Sequence, residues 1–209
     1  MQKNFLLKLA ISIACAAIIG AAVYVQYMQW VSIDTQPSTS TEASSTPQIV
    51  TPDYTQPISF SGNLSSDIKA ELTQELKKTQ QIIKTSPLDL KAWLNLGTVY
   101  KIGGDYEHAR IAWEFITEVA PGSVSQYFNL GDLYMNYLKD YPKAESNYKK
   151  VIDLRPGVID VYQNLYYLYR NSYKTDTTAA KDILELGLKN NPGNPTLTTL
   201  LAEYNKNHE

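Results

Sequence analysis

The sequence predicts an all-α fold in which pairs of helices stack into a solenoid. Pro87, Pro121, Pro156 and Pro192 are separated by 34, 35 and 36 residues (121−87, 156−121 and 192−156). Between successive prolines, the same order of aromatic, leucine and alanine residues returns. Internal self-similarity at a period of 20–50 residues is the sequence signature of repeat architectures.

Each interval opens with the pattern of a helix. Trp93, Leu96 and Tyr100 lie at i, i+3 and i+7, a spacing that places them on one helical face. The corresponding residues of the next two intervals are Tyr127, Leu130 and Tyr134, and then Tyr162, Leu165 and Tyr169. Glycine favours turns, so we expect Gly103 and Gly104 to end the first of these helices.

A second helix follows in each interval and stops at the proline. Ala109, Trp113 and Ile116 share one face, and alanine returns at Ala144 and Ala180. A pair of helices exposes an apolar side that only a neighbouring pair can cover. The sequence therefore predicts three stacked repeats, at about 88–121, 122–156 and 157–192.

This pattern resembles the tetratricopeptide-repeat family, whose motif is W-x2-L-G-x2-Y, then A-x3-F and P, over 34 residues. The first repeat carries Trp93, Leu96, Gly97, Tyr100, Gly104, Asp105, Tyr106, Glu107, Ala109, Trp113 and Pro121. The second carries Tyr127, Leu130, Gly131, Tyr134, Ala144, Tyr148 and Pro156. In the third, Tyr166 replaces the small residue, and we expect Gly187 in the partner helix to accommodate it.

Two further helices are predicted at the ends of the repeats. Ile68, Leu72, Leu76, Thr79 and Ile83 form a stripe on a leading half-repeat helix, which Ser65 or Ser66 can cap. Asn194 and Pro195 have the character of a cap and a first helical position. They predict a closing helix at 195–207 with a polar outer face. The repeat domain is thus predicted to span 64–209 as a superhelix.

The first 33 residues predict a membrane anchor. Leu9–Ile33 contains no charged residue, and 9–28 is long enough for a transmembrane helix. Lys3 and Lys8 precede this stretch, so we expect residues 1–33 to start in the cytoplasm and the repeat domain to lie outside. The alternative is a secreted chain, released by cleavage of a signal peptide at Gly20–Ala22.

A linker is predicted between the anchor and the repeats. Residues 34–63 are rich in Ser, Thr, Pro and Gln and show no helical period. Such a segment buries little apolar surface, so we expect a disordered tether. Ile58 and Phe60 are candidates for packing onto the first helix.

Composition and motifs argue against an enzyme. The net charge of −2 and pI near 5.7 give no basic patch for nucleic acid. One cysteine and two histidines are too few for most metal sites. The sequence has no phosphate loop and no nucleophile elbow. We therefore expect no catalytic residue, no cofactor and no metal.

The resemblance implies a concave groove lined by the first helix of each repeat, which would bind a protein or peptide client. The implied groove residues are Leu94, Asn95, Thr98, Lys101, Phe128, Asn129, Asp132, Met135, Gln163, Asn164, Tyr167 and Arg170. Asn95, Asn129 and Asn164 take the same position in all three repeats. These amides either form a ladder for a peptide backbone or serve neighbouring turns; both interpretations stay open here.

The sequence thus indicates a membrane-anchored module that binds protein or peptide outside a bacterial-type cytoplasmic membrane. Such a module would be a scaffold, an assembly factor or a chaperone-like adaptor. One alternative is a self-associating structural scaffold. Another is an accessory subunit of an envelope enzyme complex, for example in cytochrome c maturation or cell-wall assembly.

Overall fold

The computed structural model describes residues 49–175 and 177–207, and their regular structure is entirely helical. Eight α-helices occur within these ranges. They are α1 (Ser66–Thr85), α2 (Leu90–Gly103), α3 (Tyr106–Val119), α4 (Val124–Leu133), α5 (Tyr141–Leu154), α6 (Ile159–Asn171), α7 (Ala179–Asn190) and α8 (Pro195–Lys206). The predicted all-α class is confirmed for this part of the chain.

The predicted anchor at 9–28 and the alternative cleavage site at Gly20–Ala22 both lie outside the described residues. In the part of the chain that the structure describes, no helix is both long and apolar enough to span a membrane.

Short polar side chains fix the starts of the helices. Ser65 Oγ accepts from Ile68 N at 3.3 Å, so Ser65 is the cap of α1. Asn194 Oδ1 accepts from Leu197 N at 3.1 Å ahead of Pro195, as the sequence predicts for α8. These bonds satisfy amide hydrogens that have no partner within the helix.

The helices form two compact units. The first ends at Pro121 and contains α1, α2 and α3; Trp93 is fully buried in it, with its ring 4.4 Å from that of Phe115. The second starts at Gly122 and contains α4 to α8, with Tyr148 and Tyr162 fully buried.

Within a repeat, a glycine on the first helix faces a large ring on the second. A Cβ added at Gly131 would lie 2.5 Å from the Tyr148 ring, and one at Gly97 would collide with the Trp113 ring. Because no real side chain fits at such distances, glycine is what allows α4 to approach α5, and α2 to approach α3.

The third repeat keeps its larger residue in the core. Tyr166 is fully buried, and the atoms nearest to a Cβ built at Gly187 belong to Leu197 and Tyr162. The expected exchange at Gly187 stays a prediction. The position that carries Trp113 or Tyr148 in the other repeats, four residues after the repeat alanine, carries the smaller Leu184 here.

The longer intervals of the second and third repeats have a structural cause. Tyr134 and Ala144 are ten residues apart (144−134), whereas Tyr100 and Ala109 are nine apart (109−100). The extra residue is absorbed by a π-helical turn, Tyr134–Leu138, that continues α4. In the third repeat the interval is eleven residues (180−169), and the additional length forms a loop after α6.

The linker prediction needs one correction. Residues 54–61, which we call the strap, have no regular secondary structure but are bonded to the first unit. Residues 34–48 of the predicted linker lie outside the described residues. Ser61 N donates to Gly103 O at 2.9 Å, and Ser59 N donates to Asp105 Oδ2 at 2.8 Å. Ile58 contacts Gly103, so this part of the predicted linker has both apolar and polar partners.

Candidate functional site

Three of the predicted groove residues converge on Tyr148 in the second unit. The Phe128 ring meets the Tyr148 ring edge-on, with centroids 5.8 Å apart. Asn164 Nδ2 donates to the Tyr148 hydroxyl at 3.2 Å, and that hydroxyl donates to Met135 Sδ at 3.9 Å. Burial, followed by the nearby Asp132 charge, raises the pKa of Tyr148 well above its usual range. The hydroxyl therefore stays protonated and joins α4, α5 and α6.

The exposed side of α6 carries the most accessible of the predicted groove residues. Tyr167 is 41% exposed, with its ring 5.2 Å from that of Tyr166. Arg170 is exposed, and its Nη1 donates to the Tyr166 hydroxyl at 2.8 Å. Arg170 follows Tyr167 by three residues, a spacing that places the two on one side of the helix. Gln163 lies one helical turn before Tyr167 and is half-buried. This face combines an aromatic ring, a fixed cation and an amide.

Asn129 and Asp132 on α4 complete the set in the second unit. Both are half-buried, and Asp132 Oδ1 accepts from Asn136 Nδ2 at 2.7 Å. We use the name groove face for the eight predicted residues of this unit. They are Phe128, Asn129, Asp132, Met135, Gln163, Asn164, Tyr167 and Arg170.

In the first unit, Asn95 is used for helix packing. Its Nδ2 donates to Glu75 Oε1 at 2.8 Å and to Thr79 Oγ1 at 2.7 Å, both on α1. An amide nitrogen has two hydrogens, so both are already engaged. Asn95 and Asn164 therefore each donate to a side chain of the preceding helix. The turn interpretation and the peptide ladder both stay predictions.

The other predicted residues of the first unit also have partners within it. Trp113 Nε1 and Thr98 Oγ1 both donate to Leu94 O, at 3.3 and 2.8 Å. The Lys101 ammonium lies 5.8 Å from the Trp113 ring centroid. The two Trp113 contacts join α2 to α3, whereas the Thr98 bond lies within α2. The exposed residues of the predicted site, Tyr167 and Arg170, lie in the second unit.

A buried carboxylate in the second unit is a feature that the sequence analysis did not identify. Glu145 accepts from the Tyr169 hydroxyl at 2.7 Å, from Lys174 Nζ at 2.8 Å and from Lys149 Nζ at 2.7 Å. Desolvation alone would raise the pKa of Glu145, but the bonds from Lys149, Lys174 and Tyr169 lower it to about 2. The three donors lie on α5, near the end of α6 and in the following loop, so their hydrogen bonds to Glu145 hold these segments together.

A separate surface cavity of about 340 Å³ lies in the same unit. It is lined by Tyr127, Ser146, Asn147, Lys149, Lys150 and Asp153. None of these residues belongs to the groove face. In the described ranges, no group of three or more His, Cys, Asp or Glu residues is placed to hold a metal ion.

Successive helix pairs with a glycine-to-ring contact are the arrangement expected of a helical-repeat protein. Residues 90–114 and 126–157 match the tetratricopeptide-repeat family model. These ranges cover most of the first two repeats and support a tetratricopeptide-repeat family. No curated protein matches the sequence at a significant level. Repeats of this family suggest protein–protein interaction as the general role.

Proposed function

We propose that this chain is a non-enzymatic adaptor that binds an extended segment of a client protein on the groove face. The observation that carries the proposal is the exposed ring of Tyr167, which shares one side of α6 with Arg170 and the half-buried Gln163. Tyrosine and arginine dominate the energetics of many protein interfaces. The family match supports a protein partner.

The chemistry of the groove face favours a particular kind of client. An amide such as Gln163 can both donate to and accept from a peptide backbone. The Arg170 guanidinium favours a carboxylate, and Tyr167 offers a flat apolar surface with a polar tip. We therefore expect a client segment with an aromatic or aliphatic residue close to an acidic one.

The membrane-anchored, extracytoplasmic location is part of the proposal. It is supported by the uncharged stretch 9–28 and by Lys3 and Lys8 before it. A full chain carrying Ser146→Cys, at an exposed position of α5, should react with a membrane-impermeant maleimide in intact bacterial cells. Labelling that needs prior cell lysis would contradict this orientation, and recovery of the labelled chain in the medium would favour the secreted alternative.

Binding on the groove face can be tested with a peptide library displayed on phage. The full chain in detergent should select peptides, and Tyr167→Ala should weaken binding of the selected peptides at least tenfold, in keeping with about 1.4 kcal/mol or more for an interface tyrosine. Tyr137→Ala is the matched control, because Tyr137 is 42% exposed on the π-helical turn, away from Tyr167 in the sequence. Equal loss in both variants, or in neither, would contradict the assignment.

The alternative of a self-associating scaffold makes a different prediction. The exposed residues of α8 include Thr198, Glu203 and Asn205, and a polar outer face is typical of a terminal cap rather than of a stacking surface. Concentration-dependent sedimentation of the full chain would favour self-association, whereas a constant monomer mass would favour client binding. Co-purification of a catalytic partner would favour the accessory-subunit alternative.

A further inference from the structure

The strap (residues 54–61) is held on the first unit by hydrogen bonds to its backbone and by contacts of its side chains. Gln80 Nε2 donates to Tyr54 O at 2.8 Å and to Gln56 O at 3.1 Å. The Tyr100 hydroxyl donates to Gln56 O at 2.5 Å. Asp105 Oδ2 accepts from Ser59 N at 2.8 Å. These bonds go to backbone groups that every peptide possesses, so this surface recognises an extended chain rather than a particular sequence.

Strap side chains add selectivity at two places. The Tyr54 ring meets the Trp93 ring edge-on, with centroids 6.1 Å apart. The other place is an apolar notch at Gly103. Gly103 is buried, and a Cβ added there would lie 2.5 Å from Ile58 Cγ2 and 3.5 Å from the Phe60 ring. Ile58 and Phe60 are two residues apart, and the exposed Ser59 lies between them. This is the alternation of an extended segment that turns every second side chain towards a surface.

The strap buries little of itself. Thr55, Gln56, Pro57, Ser59 and Ser61 are all exposed, so the apolar part of its attachment is limited to a few side chains. The side chains that bond to the strap can form the same hydrogen bonds with another peptide backbone. Burial, followed by the Asp105 charge, raises the pKa of Tyr100 to about 12, so its hydroxyl remains a donor.

We propose that this surface, formed by Gln80, Tyr100 and Gly103–Asp105, is a second peptide-binding site. The strap occupies it as an intramolecular ligand, and an extended segment of a partner protein with two apolar side chains two residues apart replaces the strap. The site goes beyond the proposed function, because it lies in the first unit and shares no residue with the groove face.

The occupant is a partner rather than a second copy of this chain. The strap joins α1 through only residues 62–65, so its effective concentration is of the millimolar order typical of short linkers. The identical segment of another copy makes the same contacts without that advantage. A partner segment that fills the Gly103 notch better than Ile58 and Phe60 can overcome the advantage.

The test uses a fluorescent peptide with the sequence of residues 53–61 and the full chain in detergent. The variant Ile58→Ser with Phe60→Ser releases the competing strap and should bind the peptide at least tenfold more tightly than the natural chain. Pro57→Ala, an exposed change in the same strap, should bind as weakly as the natural chain. A peptide with serine in place of Ile58 and Phe60 should bind neither the natural chain nor the double variant. A folded double variant that binds no peptide would overturn the proposal.

If the double variant does not fold, amide hydrogen exchange in the natural chain tests the same proposal. Saturating peptide should speed exchange of the Ser59 and Ser61 amides, which the strap contacts protect, and the serine-substituted peptide should leave it unchanged. Bound peptide with unchanged exchange at both amides would overturn the proposal by placing the peptide elsewhere. Peptide binding that requires a dimer would overturn it in favour of a second copy.

Discussion

At the scale of single residues, hydrogen bonding explains why the first and third repeats open with a tryptophan and a tyrosine. Trp93 Nε1 donates to Pro87 O at 2.7 Å, and the Tyr162 hydroxyl donates to Pro156 O at 2.8 Å. In both repeats a large ring fills the core while its polar tip satisfies the carbonyl of the proline six residues earlier. Phenylalanine would fill the space but leave that carbonyl without this donor.

Glu145 makes stability depend on pH. Its folded pKa of about 2 lies below the ordinary value of 4.5, so the ionised group stabilises the fold at neutral pH. That contribution is complete above about pH 4.5 and is lost as the pH falls towards 2. Glu145→Gln should lower the free energy of unfolding at pH 7 by at most about 3 kcal/mol.

Urea denaturation at pH 7 and pH 3 checks this prediction. The difference between the natural chain and Glu145→Gln should be smaller at pH 3. Glu185→Gln is the control: Glu185 is exposed and pairs with Lys181 at 3.6 Å, a surface pair worth less than about 1 kcal/mol. A Glu145→Gln effect that is the same at both pH values would contradict the account.

The glycine-to-ring contact gives a second prediction at this scale. Gly131→Ala places a methyl group 2.5 Å from the Tyr148 ring, so we expect a loss of about 1–3 kcal/mol in the free energy of unfolding. Gly122→Ala is the matched control, because a Cβ there meets nothing within 4 Å. Thermal and urea unfolding measure both changes. Equal stability of the two variants would show that α4 and α5 do not pack through this contact.

The sequence predicted these residues unevenly. Gly97 and Gly131 were identifiable because each lies four residues after the first aromatic residue of its repeat (97−93 and 131−127). Tyr166 breaks that rule, and no periodic pattern predicts the smaller Leu184 that accompanies it in the same repeat. The Glu145 partners could not be found either, because Lys174 lies 29 residues away in a loop of irregular length.

At the scale of elements, the helices were predictable and the strap was not. A helix can be predicted from local periodicity and from a capping residue, such as Ser65 at the start of α1. The strap has neither: its partners Gln80, Tyr100 and Asp105 lie 26, 44 and 46 residues from the groups they bind. Ile58 and Phe60 were candidates for packing onto the first helix. Two isolated apolar residues show no periodicity, however, so they did not predict the hydrogen bonds that hold the strap.

The π-helical turn makes a prediction at the element scale. The second repeat contains one residue more than the 34-residue period, and the turn Tyr134–Leu138 takes it up. Deleting the exposed Asn136 should let α4 end as an ordinary α-helix, with a small loss of melting temperature.

Deleting Ser146, which is equally exposed but lies inside α5, should be far more damaging. It would rotate Tyr148 and Val151 by about 100° away from the core, because a helix has about 3.6 residues per turn. Circular dichroism during heating measures both deletions. Similar damage from the two would contradict the role assigned to the π-helical turn.

At the scale of the whole molecule, sequence and structure define the kind of protein more closely than its partner. The repeat spacing predicted the helical class, since thirty-odd residues between prolines leave room for one helix pair. The groove residues came from family resemblance, and the structure shows that Asn95 and Asn164 are also packing residues. Which face meets a client depends on exposure, and exposure at Tyr167 is a property of the folded unit rather than of its spacing.

In-cell photo-crosslinking tests the central claim, client binding on the groove face, most directly. A photoreactive amino acid replaces Tyr167 in one variant and the similarly exposed Tyr137 in the other, each in the full chain. The account predicts a discrete crosslinked protein from position 167 that is absent or much weaker from position 137. The same crosslinked protein from both positions, or no crosslinked protein from position 167, would contradict client binding on the groove face.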